Sequence, residues 1–257
     1  MRRKRKNLTA VPVLILVAVL LFCMILLIEK PVLLPAPEAE PVFGEGGVGA
    51  LFMPKDPEKQ LAVFTKLYDL FGEEHPERLQ AFPMTWGFAR EVDEDEKQLR
   101  LSLVEAAKGW LGSNELDGSH HPIVDLYNSH TPLARSYAAN YEDSWCSIFV
   151  SAMAIESGLT DIIPTECGCQ SHIELFQNLG RWEEADDYMP LPGDIVFYHW
   201  ECTDEGDCVG WSDHVGIVVG TAGDFIQVIE GNYGDAVGYH LIQVDHHEIR
   251  GYGLPAY

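Results

Sequence analysis

The chain has 257 residues, 47% of them hydrophobic and 11% aromatic, and a formal net charge of −23. That length allows one or two domains with a sizeable core. The acidity excludes nucleic acid as a partner, because binding phosphate requires Lys and Arg, and it favours solubility and the attraction of cations.

The charge is unevenly placed. Residues 1–30 carry +5, from Arg2, Arg3, Lys4, Arg5, Lys6 and Lys30 against Glu29, which leaves −28 on the remainder. Ala10–Ile28 is a run of 19 residues without charge, interrupted only by Pro12 near its start, where a helix tolerates proline. As a helix it would be ~28 Å long, close to the hydrocarbon thickness of a bilayer. The pattern predicts an N-terminal transmembrane helix with the basic tail in the cytoplasm and the rest of the chain outside. A cleaved signal peptide fits less well. Its apolar region is usually ~7–15 residues and ends at a small-x-small site, whereas Glu29-Lys30-Pro31 follows here.

Residues 31–55 read as a linker, with Pro31, Pro35, Pro37, Pro41 and Pro54 among Gly44, Gly46, Gly47 and Gly49. Residues 56–94 form a helical and acidic segment without an assigned role. Its helix over 57–71 puts Leu61, Phe64, Leu67, Tyr68 and Phe71 on one face, with Gly72 at the stop. A second helix is expected over 95–111, through Leu99, Leu103, Ala106, Ala107 and Trp110. Residues 113–141 read as a long loop with a short helix near 123–127.

From Asp143 the texture changes. Asp143 or Ser144 can cap a helix that runs to Ser157 and stops at Gly158, with Ile148, Phe149, Ala152 and Ile155 as its buried face. A short helix is expected over 174–179. Strands rich in β-branched and aromatic residues follow over 194–199, 214–220, 225–229, 239–244 and 249–251. Helices followed by an antiparallel meander predict an α+β domain over 95–257.

Three positions in this order suit nucleophilic catalysis. Cys146 falls in the first turn of its helix, where unpaired N–H groups and the helix dipole stabilise a thiolate. His214 opens an apolar strand 68 residues later, with Asp213 beside it. Glu230 ends the next strand, and Asn232 follows two residues on. If the two strands are neighbours, Glu230 or Asn232 can bond the far nitrogen of His214 and fix its tautomer. The doublets His120-His121 and His246-His247 fall in polar loops and read as solvated.

Cys23 lies in the apolar run, and Cys167, Cys169, Cys202 and Cys208 remain. Free thiols, or one hairpin disulfide between Cys202 and Cys208, fit better than zinc, whose usual spacing is Cys-x2–4-Cys. The acidic stretch 200–213 reads as a solvated charge run. No metal or other cofactor is expected.

The segments Trp145-Cys146-Ser147-Ile148-Phe149-Val150, Pro192-Gly193-Asp194-Ile195-Val196-Phe197, Asp213-His214-Val215-Gly216-Ile217-Val218 and Ile229-Glu230-Gly231-Asn232 resemble the CHAP domain. CHAP domains are papain-like cysteine amidases and peptidases of the wider NlpC/P60 group. The resemblance covers 95–257 and extends to Gram-positive proteins that share the ending Ile249-Arg250-Gly251-Tyr252-Gly253. It implies a papain-like fold, with the nucleophile helix packed on an antiparallel sheet. It implies cleavage of a peptidoglycan amide, either the N-acetylmuramoyl–L-alanine link or a bond of the stem or cross-bridge. Cys146 would be the nucleophile, His214 the base, and Glu230 with Asn232 the polar third position. Some phage members bind calcium through an Asp-rich loop before the nucleophile. Here that region offers only Glu142 and Asp143, so calcium is not carried over.

On this reading Cys146 attacks the carbonyl, and its own backbone N–H helps to hold the oxyanion. Tyr141 is a candidate second donor. Trp145, Trp200 and Trp211 are candidates to line a groove for peptidoglycan or muropeptides. A papain-like acyltransferase or protein-processing peptidase is one alternative. A non-catalytic surface or conjugation-assembly module is another.

Overall fold

The computed structural model describes residues 57–71, 84–203 and 208–257, all within one compact unit spanning Met53–Tyr257. Its helices are α1 (Pro57–Phe71), α2 (Glu94–Lys108), α3 (His121–Ser129), α4 (Cys146–Glu156) and α5 (Cys169–Asn178). Its strands are β1 (Trp182–Glu183), β2 (Ile195–Tyr198), β3 (His214–Ala222), β4 (Phe225–Glu230), β5 (Gly238–Gln243) and β6 (Ile249–Gly253). They form one antiparallel sheet in the order β1-β6-β2-β3-β4-β5, so the domain is α+β as its sequence predicts. The predicted span 10–28 and the linker 31–55 lie outside the described residues. Among the described residues no helix is long and apolar enough to cross a membrane.

The register sorts the sheet into two unlike faces. Ile195, Phe197, Val215, Ile217 and Ile229 pack against the helices in the main core, with Leu103, Ile123, Ile148, Phe149 and Phe176. Each such side chain contributes roughly 1.5–3 kcal/mol by leaving water. Val196, Tyr198, Val218, Ile226, Val228 and Ile242 point the other way into a smaller cluster closed by Tyr188, Met189 and Tyr252. His214, Gly216, Glu230 and His240 share this second face, because residues two apart on a strand point the same way.

Helix α4 is buried continuously from Cys146 to Ala154, not along a single stripe. A helix apolar on all sides belongs in the interior, and α4 lies between α3, α2 and the sheet. Its two serines serve this packing. Ser147 and Ser151 donate to the carbonyl of Glu166 at 3.1 and 2.7 Å, and Ser151 accepts the Glu166 N–H at 2.8 Å. The loop before α5 is thereby tied to α4.

Two segments show more than their sequence suggests. Residues 113–141 are more ordered than a long loop, since α3 covers 121–129 and buries Ile123, Val124 and Tyr127. Helix α1 packs on the sheet: Phe64 and Tyr68 meet Phe225 edge-on, at 5.0 and 4.7 Å between ring centroids. Gly87 also pairs with Thr221.

The Pro192-Gly193-Asp194 turn is a structural anchor. Asp194 is fully buried and accepts from Arg100 of α2 at 2.8 Å, from the Tyr188 hydroxyl at 2.7 Å and from the Leu191 N–H at 2.8 Å. A buried carboxylate is tolerated only with such bonding. Here the bonds fix where β2 begins.

Candidate active site

Helix α2 is capped by Asp93, whose carboxylate accepts the Glu96 N–H at 2.9 Å. Helix α4 is not. Neither Asp143 nor Ser144 caps it; Trp145 holds the N-cap position and makes no side-chain cap bond. Asp143 instead accepts from the Tyr137 hydroxyl and the Asn140 N–H, each at 2.8 Å. The first-turn N–H groups of α4 are therefore left to whatever anion forms at Cys146, its first residue.

Cys146 is buried, at 5% exposure, and three groups meet its sulfur. The sulfur of Cys169, the first residue of α5, lies 3.4 Å away. The bond from the Cys169 thiol is the largest influence on Cys146. Burial opposes it, His214 adds to it, and the result holds the Cys146 thiol well below its ordinary 9.0. The same bond, together with burial, pushes the Cys169 thiol up. Cys169 is thus the donor and Cys146 the thiolate, stabilised also by the Ser147 backbone N–H.

His214 faces the thiolate from the mouth of β3. Its Nε2 donates to Glu230 Oε2 at 3.0 Å. Burial works against a charge on this ring, but the carboxylate of Glu230, with Cys146 beside it, raises its pKa from 6.5 to about 10. Glu230 is fully buried. Burial alone would raise its pKa, yet His240 and His214 bring it down to about 2. The shifts on Cys146, His214 and Glu230 all run in the direction of a thiolate and an imidazolium backed by a carboxylate, an arrangement suited to nucleophilic chemistry at sulfur.

Two glycines make room for it. A Cβ on Gly216 would come within 2.5 Å of Glu230 Cγ, and one on Gly231 within 2.4 Å of Phe149 Cβ and 2.8 Å of the Trp145 ring. Gly216 lets the carboxylate lie flat across β3. Gly231 lets the end of β4 approach α4 closely enough for Glu230 to serve a histidine that serves a helix-start cysteine.

The other predicted site residues fall elsewhere. Asn232 sits in the turn after β4 at φ 57°, and Glu230 alone bonds the imidazole from that segment. Asp213 accepts from His199 Nδ1 at 2.8 Å and from the Trp200 N–H at 3.0 Å, so it serves the hairpin and not His214. The Tyr141 hydroxyl donates to Asp125 at 2.8 Å. Trp145 is a core residue, not a groove wall: it is fully buried, stacks on His120 at 5.4 Å and donates to Glu115 at 3.0 Å. Trp200 is 39% exposed, with its ring 5.4 Å from that of His214, and Trp211 is 74% exposed. Both stand on the hairpin that the Cys202–Cys208 disulfide closes.

Sequence reasoning overlooked Cys169 and His240 at the site and misjudged His120. His120 is buried, with its two ring nitrogens 3.1 and 2.9 Å from the carbonyls of Asn114 and Tyr141. The alternation of β5 could have disclosed His240, since it falls on the same face as Ile242 and two residues from the Glu230 partner Gly238.

No family model matches the chain, and neither does any curated protein. Two solved structures are similar to it. One is an NlpC/P60 family protein from Bacillus cereus ATCC 10987, 15% identical over 60% of this chain and 39% of that one, with a TM-score of 0.34. The other is Ly7917, 15% identical over 61% of this chain and 62% of that one, with a TM-score of 0.34. The chain thus spans less than two thirds of the length of either.

Proposed function

We propose that this protein is a papain-like cysteine hydrolase of the CHAP type, within the NlpC/P60 group, that cleaves an amide bond of peptidoglycan. The observation that carries the reading is that Cys146, at an uncapped helix start, interacts with His214, whose far nitrogen is held by the buried Glu230 at 3.0 Å. The Cys146 thiolate attacks the amide carbonyl. The oxyanion is held by free N–H groups of the first turn of α4. His214 passes its proton to the leaving amine, and then deprotonates the water that releases the acyl group. Glu230 remains ionised and balances the imidazolium throughout.

The scissile bond is the N-acetylmuramoyl–L-alanine link or a peptide bond of the stem or cross-bridge. Trp200, whose ring lies 5.4 Å from that of His214, and the exposed Trp211 on the same hairpin offer apolar faces on which a sugar or stem residue can lie. The apolar run 10–28 would hold the enzyme in the membrane with this domain outside. The linker 31–55 would let it reach ~25–30 Å as a coil, which suits wall or newly made muropeptides close to the membrane.

The test is digestion of purified Gram-positive peptidoglycan by the full chain in detergent, with mass analysis of the soluble fragments. Wild type should release fragments with new free amino groups, whose identity names the bond. Cys146→Ala should release none; equal release by both proteins would sink the reading.

A further inference from the structure

We propose that His240 is a positioning residue for the Cys146–His214 pair, holding the second oxygen of Glu230 so that the first stays aimed at His214. The proposal rests on the catalytic reading above and adds a residue to it. It starts from the carboxylate. A side chain with one anchored oxygen can swing about its terminal torsion, which is broad and roughly two-fold. Two anchored oxygens define a plane. Glu230 has both: Oε2 accepts from His214 Nε2 and Oε1 from His240 Nδ1, each at 3.0 Å. At zero exposure no water reaches either oxygen, so an oxygen without its donor would bear the full cost of burial.

The sheet fixes the arrangement. His240 lies opposite Val228 on β5, and Glu230 lies two residues beyond Val228 on β4, on the same face. The imidazole is therefore diagonal to the carboxylate, a spacing that long and aromatic side chains bridge. The His240 ring stacks on Tyr233 at 5.0 Å and 18°, and leans on Tyr198 at 5.5 Å. Those contacts leave it little freedom to turn away. The groups that face Glu230 are thus His214 from β3, His240 from β5 and Tyr198 from β2, while Tyr233 from the turn after β4 packs against both imidazoles. Cys169 from α5 faces the thiolate from the other side.

The experiment follows alkylation of Cys146 by iodoacetamide across pH, read from the mass of its own peptide, in the full chain and in His240→Ala, His240→Leu and His240→Asn. This readout needs no substrate, so it answers even if peptidoglycan proves not to be cut. Failure of the wild type to digest peptidoglycan would count against the substrate and leave the alkylation comparison intact. With the second anchor gone, Glu230 stabilises the imidazolium less well. The acid limb of the alkylation profile should rise by about one pH unit. Turnover should fall about tenfold to a hundredfold with KM unchanged. His240→Asn carries an amide N–H near the place of Nδ1 and should restore most of both. Ala and Leu remove the donor with and without loss of volume, so a folding defect in one is read through the other. Wild-type profiles and turnover in a folded Ala or Leu variant would overturn the proposal. So would an Asn variant as impaired as Ala and Leu.

Discussion

Two buried histidines serve adjacent residues of the first turn of α4, and they are opposites. His214 faces Cys146 from the second face of the sheet. His172, on α5, donates from Nδ1 to Ser147 Oγ at 3.0 Å on the helix side, stacked on Phe176 at 5.5 Å and edge-on to Phe197 at 5.7 Å. Its Nε2 has no hydrogen-bond partner among the described residues. Burial lowers its pKa from 6.5 to about 4, so it is a neutral packing residue. His214 is nearly as buried, yet its pKa rises to about 10. The difference is Glu230. Burial by itself turns a histidine into a hydrophobe with a polar edge. Burial beside a bonded carboxylate turns it into a fixed cation that can hold a thiolate.

The largest test of that contrast is Glu230→Gln, which keeps the shape and an acceptor for His214 but removes the charge. His214 should then resemble His172 and titrate far lower. The Cys146 thiolate should be lost at neutral pH, and turnover should fall by about 10²–10⁴. The alkylation profile of Cys146 should move to the alkaline side, which separates loss of charge from misfolding. An unchanged profile would mean that the cation owes nothing to the carboxylate.

Stability against pH is the second test, because the two histidines have opposite signs. For His172 the unfolded state binds the proton more tightly. Stability should fall as pH drops from 6.5 towards about 4, by about 3 kcal/mol in all. For His214 the folded state binds it more tightly. Its contribution is complete below 6.5 and is lost as pH rises towards about 10. Glu230, with its pKa lowered to about 2, stabilises above 4.5 and stops doing so as pH falls through 2. Denaturant unfolding of His172→Phe between pH 4 and 6.5 should therefore show a shallower loss than wild type. A slope equal to wild type would place the acid sensitivity elsewhere.

The smallest effect should come from Cys169→Ala. It removes the thiol donor from Cys146 and leaves His214 in place. Alkylation of Cys146 at neutral pH should slow about tenfold, the worth of a hydrogen bond to a charged group. Cys169→Ser, which keeps a donor, should slow it less.

Much of the architecture could be read along the chain. The helix over 57–71, the helix ending before Gly158 and five of the six strands follow from periodicity and turn residues. Both Cys146 and His214 could be placed on their elements because first-turn and first-strand positions are local properties. The two-residue strand β1 could not, since its partner Gly253 is some seventy residues away. Asp143 was misread as a cap because a capping residue type is local, while the competing bonds from Tyr137 and Asn140 depend on how the loop folds back.

The sequence by itself determined the order helix, strand, strand and the chemical types at their ends: a thiol, an imidazole, a carboxylate. Those depend on neighbours within a few residues, where backbone geometry sets the pattern. Only the tertiary structure decided which groups share a bond. Glu230 rather than Asn232 or Asp213 holds His214, His240 takes its other oxygen, and Cys169 meets Cys146. Strand register and the approach of α5 to α4 settle those pairings. Register flips every side chain with a slip of one residue, so it is fixed by the packing of both sheet faces and by the absence of a side chain at Gly216 and Gly231, which no local pattern records.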